Sequence, residues 1–116
     1  SSTGAVTTSA NLGVYSDVAC TTPKSSINWG TITPGTNITQ TIYIKNTGTG
    51  LSLELSMNTS NWTPAGANGP ITLTWNQEDT RITPGQSVPA ILTLRVSPTI
   101  ADVTNFSVQI NITGTN

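Results

Sequence analysis

Two segments of this chain repeat one pattern: "ITPGTNITQTIYIKN" (32–46) and "ITPGQSVPAILTLRV" (82–96). Each begins with a Pro-Gly pair, Pro34-Gly35 in the first copy and Pro84-Gly85 in the second. Proline fixes φ near about −65°, which suits the second position of a tight turn, and glycine accepts the positive φ that a type II turn requires next. Both copies therefore predict a tight turn that leads into the segment following it.

After each turn, apolar and polar residues alternate along the chain. The apolar residues that share one parity are Ile38, Ile42 and Ile44 in the first copy and Val88, Ala90, Leu92, Leu94 and Val96 in the second. Because successive side chains of a strand point to opposite faces, this pattern predicts a strand with one buried face. Turn chemistry followed by alternation recurs in all-β proteins, so the repeat indicates architecture and not catalysis.

The same alternation returns in "LSLELSM" (51–57), "ITLTW" (71–75) and "FSVQINIT" (106–113), and "INWGTI" (27–32) adds a short strand. Turn-rich pieces separate these segments, and 59–70 is predicted as a long loop. Helical periodicity is not found. We therefore predict an all-β fold, a two-sheet antiparallel Ig-like sandwich of about seven strands plus an N-terminal strand, without the immunoglobulin Cys–Trp–Cys arrangement.

The N-terminal segment, residues 1–18, differs from the predicted sandwich domain, residues 19–116. It has few bulky side chains. It forms either one long strand or two short ones interrupted at Thr8–Ser9. It pairs either within its own domain or with another copy, in which case it is a candidate donor segment. The candidate donor-strand interface is formed by Ala5, Val6, Ala10, Leu12 and Val14.

Composition argues against several classes of function. Charged residues make up 8% of the chain, against about 25% in ordinary soluble domains, and the four Lys and Arg residues are dispersed, which argues against nucleic-acid binding. The chain has no histidine, so Ser-His-Asp and Cys-His catalysis and the commonest zinc ligand are lacking. We predict that the protein is not an enzyme and has no cofactor or metal site.

The sequence also predicts an extracellular location. No stretch approaches the ~20 apolar residues that cross a bilayer, so no transmembrane segment is expected in the mature chain. Ser1 is a poor translational start, and a removed secretion signal is the simplest explanation. Five Asn-x-Ser/Thr sequons favour covalent N-glycans on an exposed surface. Asn37 follows a turn, Asn58 and Asn61 are expected in a loop, and Asn105 and Asn111 in a strand.

Single residues leave some alternatives open. Cys20 is the one cysteine, and it is either buried and inert or paired between chains. Trp29 and Trp75 share the parity of neighbouring apolar residues, so both are expected in the core. Trp62, in "SNWTPAG", is either a platform for stacking on a sugar or a plug for one end of the sandwich.

The motifs "INWGTITPG", "YIKNTG", "SNWTPAG" and "FSVQINITGT", in that order, resemble secreted archaeal β-sandwich surface proteins. The resemblance covers the chain from about Leu12 onward, and comparable sandwiches build archaeal threads and bundling pili. It implies donor-strand complementation, in which the N-terminal strand of one subunit completes a sheet of its neighbour. The expected function is thus that of a structural subunit of an extracellular filament or pilus, a homopolymer at the cell surface. The alternative is a cell-surface Ig-like binding or adhesion module that recognises glycans or a protein partner.

Overall fold

The computed structural model describes residues 2–9, 11–63, 65–99 and 105–115, and it confirms an all-β protein of two sheets. The strands are β1 (Ser2–Thr8), β2 (Leu12–Tyr15), β3 (Ser26–Gly30), β4 (Asn37–Asn46), β5 (Leu53–Thr63), β6 (Ile71–Trp75), β7 (Arg81–Ile82), β8 (Ser87–Val96) and β9 (Ser107–Thr115). Sheet A has the order β3-β1-β9-β5-β7, and sheet B has the order β2-β4-β8-β6. In the part of the chain that is described, no helix is long and apolar enough to cross a membrane.

The two copies of the repeated pattern pair with each other. Strands β4 and β8 are antiparallel neighbours at the centre of sheet B. The turn glycines have the expected positive φ, 78° at Gly35 and 81° at Gly85. Each turn also bonds the far end of the other copy, since Gly35 N donates to Val96 O at 3.0 Å and Gly85 N donates to Asn46 O at 2.8 Å. The repeat therefore encodes two turns and two strands that hold each other in place.

The N-terminal segment forms two short strands, the second of the alternatives that its sequence allows. Strand β1 lies in sheet A, antiparallel to β3 and parallel to β9. Strand β2 lies in sheet B, antiparallel to β4. Seven strands, β3 to β9, follow this segment, in agreement with the predicted number. The parallel β1–β9 pair is a local departure from the antiparallel pattern that was predicted.

The prediction of a loop over 59–70 is wrong for residues 59–63, because β5 continues to Thr63. Its polar residues pair with polar residues of β9, for example Asn58 with Asn111 and Ser60 with Gln109. A register shift between Ser60 and Thr63 interrupts this pairing. This part of β5 is stabilised by cross-strand polar contacts as well as by burial. Its sequence therefore lacks the apolar alternation from which a strand is predicted.

The core lies between the two sheets and contains most of the apolar residues of the predicted parities, although Leu51 is exposed and Ile38, Met57, Leu73 and Val88 are half-buried. Trp29 is buried, as expected. Trp75 is only half-buried against the core, and its indole nitrogen donates to Glu78 Oε1 at 2.8 Å. The fully buried larger apolar side chains are Ile27, Ile42, Ile44, Leu55, Ile71, Ile82, Leu92, Leu94, Ile110 and Ile112.

One fully buried polar side chain connects the sheets at the end of β4. Asn46 Nδ2 donates to Leu51 O at 2.8 Å and to Ile82 O at 3.2 Å, and Asn46 Oδ1 accepts from Gly48 N at 3.0 Å. Asn46 is 0% exposed. Its amide thus fixes the loop after β4 and joins it to β7 of the other sheet.

We expect Asn46→Ala to lower the free energy of unfolding by about 2–4 kcal/mol, because it leaves two carbonyls and one N–H without their partner. Urea denaturation measures this change. The control is Asn28→Ala, since Asn28 is exposed and accepts a single bond from Gly30 N; its loss is expected below about 1 kcal/mol. Equal losses in the two variants would contradict the anchoring role.

Candidate functional site

Strand β1 occupies a groove between β3 and β9 and is bonded along both of its edges. Thr3 N donates to Phe106 O at 3.0 Å, and Val6 N donates to Ser25 O at 2.8 Å. Residues 3–8 run in register with 107–112 of β9. A strand in the interior of a sheet leaves no free backbone edge, so the groove satisfies the backbone of β1 from both sides.

The side chains that β1 turns inward are small. Ser2 and Gly4 are buried, and Val6 is half-buried against the core. Ser2 Oγ accepts from Phe106 N at 3.2 Å. The groove itself is walled by large buried side chains, Ile27 and Trp29 on β3 and Val108, Ile110 and Ile112 on β9. Thus β1 adds few apolar atoms of its own, but it lies over a strongly apolar wall.

The candidate donor residues divide between two sheets. Of the four that the structure describes, only Val6 turns toward the groove; Ala5 is exposed, and Leu12 and Val14 are buried in β2 of sheet B. Ala10 lies outside the described residues. Sequence reasoning missed Ser2 and Gly4 because it searched for apolar residues, although the run of small residues in "STGAV" was the available signal.

Sequons concentrate on the outer face of sheet A. Asn58 and Asn61 lie on β5 and Asn111 lies on β9, while Asn105 is exposed just before β9 begins. Asn37 is exposed at the start of β4 in sheet B. Because residues i and i+2 of a strand share a face, a sequon in a regular strand places its asparagine and its hydroxyl on the same side.

A neutral hydrogen-bonded ladder crosses this face from β1 through β9 to β5. Thr7 Oγ1 donates to Asn111 Oδ1 at 2.7 Å. Asn111 Nδ2 donates to Asn58 Oδ1 at 2.9 Å and to Ser60 Oγ at 3.1 Å. The two hydrogens of the Asn111 amide are therefore both engaged, and two sequon asparagines are direct cross-strand partners.

The end of β5 carries Trp62 beside an irregular backbone. Asn61 has a positive φ of 55°, and its Nδ2 donates to Gln109 Oε1 at 2.7 Å. The Trp62 ring stacks on Phe106 with centroids 5.6 Å apart, and its Nε1 donates to Thr59 Oγ1 at 3.1 Å. These contacts favour the end-plug interpretation of Trp62, and its stacking on a sugar stays a prediction.

Cys20 lies in a loop that Asp17 organises. It is half-buried, with a positive φ of 57°. The Asp17 carboxylate accepts from the backbone N–H groups of Thr21 and Thr22, each at 2.9 Å, and from Thr21 Oγ1. The Thr21 hydroxyl first, and then the Thr22 backbone N–H, lower the pKa of Asp17 below its ordinary value of 3.8.

This loop should loosen in acid. A depressed folded-state pKa contributes stability that is present above the ordinary pKa and is lost as the pH falls through the lowered value. Below pH 3.8, therefore, the NMR amide resonances of Thr21 and Thr22 are expected to move toward their unbonded positions. The control Asp17→Asn removes the titrating group, so resonances that moved identically in that variant would contradict the assignment.

Neither a cluster of metal ligands in the described residues nor a match to a known protein points to a further site. Among the residues that the structure describes, no three His, Cys, Asp or Glu side chains lie together as metal ligands would. No family model, curated protein or solved structure matches the chain. The groove that holds β1 and the polar ladder above it are thus the features from which a function is inferred.

Proposed function

We propose that this protein is the structural subunit of an extracellular filament, in which β1 of one copy fills the groove between β3 and β9 of the next. The observation that carries the proposal is the position of β1. It is an interior strand of sheet A, bonded on both edges, yet Val6 is the largest side chain that it turns toward the core.

The groove supports the proposal because it requires an occupant. Without β1, the facing backbone edges of β3 and β9 are unpaired, and the buried side chains of Trp29 and Ile110 lose their cover. Unpaired interior edges and exposed apolar walls are strong sites for strand addition. A single chain fills the groove with its own β1, and an assembled chain fills it with β1 of a neighbour.

Exchange reuses the same contacts, as in domain swapping. In a single copy, β1 pairs within its own chain, and the same residue pairs form when β1 comes from a second copy. Only residues 9–11 join β1 to β2. Asn11 in this connection has a φ of 68°, a left-handed conformation that asparagine adopts more readily than other residues with a side chain.

The surface is compatible with close packing of copies. The net charge is −1, so copies repel each other weakly. Glycans on the outer face of sheet A would supply hydration in place of charge, and they lie on the side opposite the core-facing residues of β1. This face therefore carries N-glycans in the proposed filament without obstructing the groove.

A cysteine pair tests whether exchange occurs. Ala5 and Gln109 are registered partners on β1 and β9, so in a Cys20→Ala chain the variants Ala5→Cys and Gln109→Cys place two thiols side by side. We expect a short thiol-specific cross-linker, applied to the assembled material, to give a ladder of covalent multimers on a denaturing gel. Dilute monomer should give only an internally cross-linked chain.

The matched control is the pair Thr41→Cys and Ile91→Cys, registered partners on β4 and β8. These strands remain in one chain, so only monomer bands are expected in every sample. Monomer bands alone from the Ala5 and Gln109 pair in assembled material would overturn the proposal, as would a native protein that remains monomeric.

The hydrogen-bonded ladder of Thr7, Asn111 and Asn58 predicts that the sequons are glycosylated to unequal extents. Glycan transfer uses Nδ2 of asparagine, and this atom of Asn111 already donates two hydrogen bonds in the folded chain. We expect glycopeptide mass spectrometry of the native protein to find Asn58 modified and Asn111 largely unmodified. Asn58→Ala removes one acceptor and should raise the occupancy of Asn111. Full occupancy of both sites in the native protein would refute this expectation.

A further inference from the structure

Gly4 is a position at which β1 packs tightly against the groove. It pairs with Ile27 of β3 on one side and with Val108 of β9 on the other. A Cβ at this position would lie 2.7 Å from Ile110 Cδ1, and 3.4 Å from both Ile110 Cγ1 and Trp29 Nε1. Gly4 is not among the glycines with positive φ. Glycine is thus favoured here for space and not for backbone conformation, since an added Cβ would force Ile110 Cδ1 to shift.

The side chains that surround Gly4 are closely packed. Ile110 is 0% exposed and Trp29 is 4% exposed, and close-packed interiors resist the displacement of side chains. Trp29 Nε1 is buried without a hydrogen-bond partner in the described part of the chain, an exception that calls for a reason. A hydroxyl at position 4 would offer an acceptor, but its Cβ collides with Ile110.

The close packing at Gly4 also fixes register. A shift of β1 by two residues would bring the Cβ of Ser2 or Val6 to the place of Gly4, and a shift by one would turn Thr3 or Ala5 inward. Each of these residues has a Cβ, which at this place would force Ile110 Cδ1 to shift.

We propose that Gly4 is the specificity-determining residue of the interface, selected by Ile110 and Trp29. The groove admits a strand that presents glycine at this point with small residues two positions before and after it. Its occupant in the assembly is a second copy of this chain, held in the same register as in the single copy. This inference rests on the proposed function.

Steric compensation between different chains tests it. Ile110→Val removes Cδ1, the atom at 2.7 Å from the Cβ position, so a groove with valine should accept a strand with alanine at position 4. A labelled Gly4→Ala chain is mixed with wild-type chains or with Ile110→Val chains, and its incorporation into sedimenting filaments is measured.

We expect the critical concentration of the Gly4→Ala chain, alone or with wild type, to rise about tenfold or more, as overpacking of a close-packed site implies. Mixing with Ile110→Val chains should restore incorporation, since each strand then meets a groove that fits it. Ile110→Val alone should assemble. The control Ala5→Val adds bulk to the exposed side of β1 and should assemble normally.

The outcomes separate the two proposals. Incorporation of the Gly4→Ala chain with wild type as readily as with Ile110→Val chains would overturn the role of Gly4 and leave strand exchange in place. If Ile110→Val restored assembly of the Gly4→Ala chain only when both changes are in the same chain, β1 would have to pair within its own chain. Both proposals would then fail. Urea denaturation of the Gly4→Ala, Ile110→Val double variant confirms that the compensated chain is folded.

Discussion

The reciprocal pairing of β4 with β8 is the interaction on which the rest of the structure depends. Each strand follows its own Pro-Gly turn, and each turn glycine bonds the far end of the other strand, Gly35 to Val96 and Gly85 to Asn46. Two local signals separated by fifty positions therefore lock one register. That register places Ile42, Ile44 and their partners on β8 in the core. Sheet A packs on this base, and Asn46 at one end of it connects the sheets through β7.

Sheet A follows a different constraint, because one of its interior strands has almost no apolar side chains to bury. Strand β1 is retained mainly by backbone bonds to β3 and β9 and by covering Ile110 and Trp29, since it carries no large apolar anchor of its own. Hydrophobic stabilisation here comes from the area of the wall that is removed from water. A strand that stabilises mainly by covering can be supplied by any chain that presents the same backbone and the same small residues. Side-chain size matters on this strand at Gly4, where an added Cβ would lie 2.7 Å from Ile110 Cδ1.

The sequence predicted what local physics determines and missed what distant pairing determines. Turn chemistry and alternation were sufficient for β4, β8 and the number of strands, because burial on one face imposes period two. The extension of β5 through Asn58 was missed because its stabilising partner, Asn111, is fifty-three residues away. The site was predicted only in outline. Val6 was identified as an inward residue, but Gly4 was not, since the need for a missing side chain arises from Ile110, which comes from the other end of the chain.

The scarcity of charge and the polar ladder have the same origin, the short neutral polar residues on the outer face of sheet A. Apart from the Arg81–Glu54 ion pair at one edge of sheet A, this chain relies on Thr, Ser, Asn and Gln. Their short side chains bond across strands without long-range fields, as Thr7, Asn111 and Asn58 do. Asparagine followed two positions later by a hydroxyl is then frequent on such a face, so sequons accumulate as a consequence of the same composition. The amide nitrogens of Asn61 and Asn111 donate across strands and thus help to hold sheet A together. A face of this kind stabilises β1 through Thr7 while keeping the repulsion between copies weak, which is an electrostatic condition that the proposed strand exchange requires.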